Sequence, residues 1–91
     1  MHNKNKILLV EDELELAKSV VKYLKESNYL CTHVEKLKNA RELLKKNNFH
    51  AVLLDLGLPD GDGLSLIKEI KNKDKTTGVI LISAKDALSN K

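Results

Sequence analysis

Four short apolar runs alternate with three stretches of helical periodicity, and this alternation restricts the chain to very few folds. Ile7-Leu8-Leu9-Val10, Ala51-Val52-Leu53-Leu54 and Val79-Ile80-Leu81-Ile82 are apolar throughout and rich in branched residues, as strands covered on both faces are. Leu30 to Val34 is mixed in polarity, as an edge strand often is. Between the runs, Leu14, Ala17, Val21 and Leu24 recur at helical spacing, with Ser27-Asn28 as the stop. Leu37, Ala40 and Leu44, with Leu43 beside them, mark a second helix that Asn47-Asn48 ends. Leu64, Ile67 and Ile70 mark a third, which Asp62 can cap. Strand–helix alternation with short links predicts an α/β fold, a parallel sheet with helices on both faces. Three interior-type strands and one edge-type strand give the order 2-1-3-4. Nothing after Ile82 covers the outer edge of the last strand, which reads as an interior one.

Ninety-one residues suit one small domain, 1–91, and the chain shows no repeat, low-complexity segment or linker. Sixteen basic against thirteen acidic residues leave a charge of +3. The lysines are spread along predicted helices, and only three aromatics are available to stack on bases, so no nucleic-acid contact is expected of this segment. Cys31 is the only cysteine, which excludes an intrachain disulfide and suits a reducing, cytoplasmic setting. It reads as a small apolar filler on the second strand. No apolar run approaches the roughly 20 residues of a membrane span, and the polar start from Met1 to Lys6 lacks the core of a signal peptide.

The chemistry gathers at strand ends. Glu11 and Asp12 follow the first strand and Asp55 follows the third. In an open parallel sheet, ligands bind beyond the carboxyl ends of the strands, where the winding reverses. In the order 2-1-3-4 that point lies between strands 1 and 3, so the three acids are expected to converge. Clustered carboxylates repel one another unless a cation joins them, and a hard, partly hydrated ion such as Mg²⁺ suits oxygen ligands. A carboxylate beside such an ion can attack phosphorus to give an acyl phosphate. Ser83, at the end of strand 4, would place a hydroxyl next to a phosphoryl oxygen. Strand-end acids also serve simply as helix caps, so position alone leaves both roles open.

Three linked pieces, in this order and spacing, resemble the receiver domain of two-component response regulators over essentially the whole chain. Ile7-Leu8-Leu9-Val10-Glu11-Asp12-Glu13 is similar to its first strand and acidic pair. Leu53 to Gly63, with Asp55, Gly57, Pro59 and Asp60-Gly61-Asp62-Gly63, is similar to its phosphorylation loop. Val79-Ile80-Leu81-Ile82-Ser83-Ala84-Lys85-Asp86 is similar to its fourth strand and switch hydroxyl. The resemblance implies a flavodoxin-like doubly wound sheet and a phosphoacceptor signalling module rather than an enzyme, with at most self-phosphorylation and slow self-dephosphorylation. It implies that Asp55 accepts a phosphoryl group from a sensor histidine kinase. It further implies that Asp12 binds Mg²⁺, Glu11 supports it through water, and the Gly57 backbone carbonyl supplies another ligand. Ser83 would turn toward the phosphoryl group, Ala84 would leave access to it, and Pro59 and Gly63 would shape the loop and the start of helix 3. The pattern is most similar to regulators that carry a winged-helix DNA-binding domain, and that output domain is not in this sequence.

The family continues with a fourth helix, a fifth strand ending in a lysine that pairs with the phosphoryl group, and a fifth helix. The sequence stops at Lys91, and Lys85 does not match that lysine. Impaired phosphorylation is therefore expected, together with a homodimer or segment exchange through the exposed edge of strand 4. Other functions compete with this one. A phosphorylation-independent interaction module on the same scaffold would not require Mg²⁺. An aspartate-based phosphatase would carry a second acid two residues after its nucleophile, where Gly57 stands. A calcium loop needs glycine at its sixth position; counted from Asp55 that is Asp60, and counted from Asp60 it is Ser65. His2, His33 and His50 lack metal-ligand spacing and read as strand or surface residues.

Overall fold

The computed structural model describes residues 5–58 and 61–82. Its elements are β1 (Lys6–Val10), α1 (Leu14–Glu26), β2 (Leu30–Val34), α2 (Leu37–Lys46), β3 (Ala51–Asp55), α3 (Gly63–Lys73) and β4 (Gly78–Ile82). The strands form one parallel sheet in the order β2-β1-β3-β4. This is the doubly wound order expected from the apolar runs, with β1 and β3 adjacent at its centre.

Side chains alternate across a strand, so each central strand feeds two layers. Leu8 and Val10 of β1 join Val52 and Leu54 of β3 in one buried cluster with Leu37, Ala40 and Leu44 of α2 and Leu66 and Ile70 of α3. Leu9, also fully buried, faces the other way, and Ala17 of α1 is buried. Arg41 ties the two helices on the first side together. Its Nε donates to both Glu69 oxygens at 3.1 and 3.0 Å, and its Nη2 donates to Ser65 Oγ at 2.9 Å.

The helix ends follow local chemistry. Asp62 caps α3 by accepting from the Leu64 N–H at 3.0 Å. At the end of α1, Asn28 takes a left-handed conformation with φ of 70°. The Asn28 N–H reaches the Lys25 carbonyl and the Tyr29 N–H reaches that of Leu24, closing a Schellman motif where Ser27-Asn28 signals a stop.

Two apolar positions depart from expectation. Leu14 is 51% exposed because it opens α1 just past the end of the sheet. Leu64 is 56% exposed, and α3 instead buries Gly63, Leu66 and Ile70. A stripe built on 63, 66, 67 and 70 turns Leu64 about 100° away from the core, since one residue advances a helix by that angle. Ile80 and Leu81 of β4 are also about half exposed, in keeping with an uncovered outer strand among the described residues.

Candidate metal centre

β1 and β3 run in register, with Val10 beside Leu54. Extending that register by one step sets Glu11 next to Asp55, just past the last β1–β3 pair. Two acids side by side on parallel neighbours repel, and Asp12 adds a third charge. The structure brings all three together. One carboxylate oxygen from each of Glu11, Asp12 and Asp55 lies within 4.8 Å of the others. Glu11 and Asp55 are buried, at 1% and 3% exposure, so water does little to screen them.

Backbone donors fix part of this cluster. The Glu13 N–H donates to Glu11 Oε2 at 2.8 Å. The Gly57 N–H donates to Asp55 Oδ1 at 2.9 Å, an Asx-type turn that sets the rotation of the Asp55 carboxylate. Glu11 Oε1 is buried and meets no donor among the described residues. Burial raises the pKa of Glu11; the Glu13 N–H pulls it back, and Asp55 and Asp12 push it up again. A buried carboxylate oxygen without a donor, facing two further acids, has the character of a hard-cation ligand. The three carboxylates therefore fit Mg²⁺, and among the described residues they form the one such acidic group.

The sequence-expected site residues fall into two sets. Glu11, Asp12 and Asp55 come together, and the Gly57 amide N–H, not the carbonyl expected as a ligand, is the group that contacts Asp55. Ser83, Ala84 and Pro59 lie outside the described residues. Cys31 is half-buried on β2, and burial raises its thiol pKa, which suits its reading as a filler. One residue at the site escapes a reading by spacing: the His33 side chain is hydrogen-bonded to the Glu11 carbonyl at 2.8 Å. Pairing β1 with β2 places His33 beside Leu9, two residues before Glu11, and that register is the signal that reveals it.

The family described as the response regulator receiver domain matches residues 7–91. The transcriptional regulatory protein CssR of Bacillus subtilis is 46% identical over 81 residues, covering 89% of this chain and 36% of CssR. The transcriptional regulatory protein BasR of Escherichia coli K12 is 36% identical over 86 residues, covering 94% of this chain and 39% of BasR. The chain thus spans less than two-fifths of these curated relatives. Among solved structures, the non-phosphorylated HemR receiver domain of Leptospira biflexa superposes with a TM-score of 0.83 at 34% identity, covering 90% of this chain and 66% of that one. The response regulator TrrA of Thermotoga maritima, in complex with Mg²⁺-BeF, gives 0.81 at 29% identity, covering 94% and 76%.

Proposed function

The chain belongs to the response regulator receiver domain family, and from that premise we propose that it accepts a phosphoryl group on Asp55 with Mg²⁺ held by the same acidic pocket. The observation that carries the proposal is the convergence of Glu11, Asp12 and Asp55 around a buried carboxylate oxygen without a donor. A related receiver, TrrA, is known in complex with Mg²⁺-BeF, and the three carboxylates here suit the same kind of occupant.

Asp12 and Asp55 would hold the ion directly, with the Gly57 carbonyl as a further ligand and Glu11 as support through water. Mg²⁺, when bound, neutralises charge on the oxygens of the transferring group. The chain's own part is nucleophilic. The Gly57 N–H fixes Asp55 Oδ1 and with it the orientation of the carboxylate. An Asp55 oxygen forms a bond to phosphorus as the bond from phosphorus to the donor histidine nitrogen breaks, and that nitrogen leaves with the electron pair. The phosphoryl donor is a sensor histidine kinase, and the setting is cytoplasmic. Ser83 is assigned the switch hydroxyl next to the phosphoryl group. The chain acts as a phosphoacceptor rather than an enzyme, with at most self-phosphorylation and slow self-dephosphorylation.

β4 supports a second function. Ile80 and Leu81 are exposed on a strand whose outer edge pairs with nothing among the described residues. That edge suits a second copy, by pairing or by segment exchange, or a protein ligand of a phosphorylation-independent interaction module. The two functions separate in one experiment, a Mg²⁺ titration with and without beryllofluoride, read by amide NMR shifts. Saturable shifts at Glu11, Asp12 and Asp55 that vanish in Asp55→Asn are expected of a phosphoacceptor. A folded chain with no metal-dependent shifts would leave only the interaction module.

A further inference from the structure

We propose that His33 is a positioning residue for the acidic pocket, holding the peptide between Glu11 and Asp12 so that both carboxylates point at one ion. The proposal deepens the Mg²⁺ assignment above and rests on it.

The carbonyl that receives the His33 bond belongs to the peptide unit joining Glu11 to Asp12. That unit is planar, so its tilt sets how the two carboxylates leave the chain relative to each other. The β1–β3 ladder stops at Val10, so pairing with β3 no longer sets this tilt. β2 ends at Val34, and residues 35–36 bend away. Meanwhile the three acids push apart across 4.8 Å or less. Rotation of this one peptide would swing Asp12 out of the cluster.

One bond from β2 anchors the preceding peptide unit, and a second opposes that rotation directly. The Glu11 N–H donates to the Val34 carbonyl at 3.0 Å. The His33 Nε2–H donates to the Glu11 carbonyl at 2.8 Å. Donation to a carbonyl requires the proton on Nε2, which fixes the ring tautomer. His33 shares its strand face with Leu9, its register partner, and reaches Glu11 two residues further along. Its hydrogen bond is to a backbone carbonyl and not to a carboxylate, so its effect passes through the backbone. Partners of this outer kind typically change metal affinity by about 10- to 100-fold.

The test is Mg²⁺ affinity from amide NMR titrations of wild type, His33→Ala, His33→Gln and Asp12→Asn. His33→Ala should bind Mg²⁺ about 10-fold more weakly. His33→Gln carries an amide N–H at the place of Nε2 and should recover most of that loss. The amides of Leu66 and Ile70, in the core away from the pocket, should keep their shifts in both. Equal affinity in His33→Ala and wild type would overturn the proposal, as would a His33→Gln no better than alanine. Wild type and Asp12→Asn binding Mg²⁺ alike would instead remove the pocket assignment, and the role of His33 with it. A long-range proton–nitrogen spectrum of the unmodified chain needs no variant to fold. It should show the Nε2–H tautomer at neutral pH, and the Nδ1–H tautomer would refute the bond.

Discussion

Glu11 is the residue whose two roles pull in opposite directions. Buried beside Asp55 and Asp12, it holds its proton to a higher pH in the folded chain than its ordinary value of 4.5. Above that value the folded state binds more protons than the unfolded state, so stability falls as pH rises through the interval up to the folded pKa. The Glu11 contribution to metal-free stability is thus present at low pH and lost toward neutrality. Glu11→Gln should flatten that slope and raise the melting temperature near neutral pH in EDTA, while weakening Mg²⁺ binding. Thermal melts of both proteins across pH, with EDTA and with Mg²⁺, check this; a variant less stable than wild type in EDTA at neutral pH would contradict it. Glu11, Asp12 and Asp55 were legible as a site because each stands at the end of an apolar run, and strand ends have a fixed address in a parallel sheet. His33 was not, because its role depends on register between β1 and β2, which its spacing along the chain does not carry.

At the scale of elements, the helices separate what pattern shows from what packing decides. The stops of α1 and α2 were readable from Ser27-Asn28 and Asn47-Asn48, since local backbone chemistry ends a helix. The Asp62 cap was readable for the same reason. The buried face of α3 differs from the sequence pattern at Leu64, because three apolar residues at spacings of three fit more than one stripe, and the sheet selects the one containing Leu66. Leu66 is fully buried while Leu64 is 56% exposed. Leu66→Ala should therefore cost about 2–5 kcal/mol in denaturant unfolding, as deletion of a buried leucine does. Leu64→Ala should stay within about 0.5 kcal/mol, as for a surface position. Equal costs at the two positions would mean that α3 presents a different face to the core.

For the whole molecule, strand order is legible in the pattern of the runs: three fully apolar ones of interior type and the mixed run of Leu30 to Val34 at one edge. The opposite side was less predictable. β4 has the sequence of an interior strand, yet Ile80 and Leu81 stand about half exposed with an unpaired outer edge among the described residues. The 91-residue chain should therefore self-associate with rising concentration in sedimentation velocity, and Ile80→Lys should reduce it. A monodisperse monomer at high concentration would remove the β4 contact. The central claim concerns the other end of the sheet, where β1 and β3 bring three acids to one point. It is tested most directly by intact-mass measurement after incubation with a small phosphoryl donor such as acetyl phosphate. One added phosphoryl group is predicted in Mg²⁺, with none in EDTA and none in Asp55→Asn, and even a low yield would meet the prediction. A folded chain that gains no phosphoryl group in Mg²⁺, or one that gains it equally well without Asp55, would contradict the account.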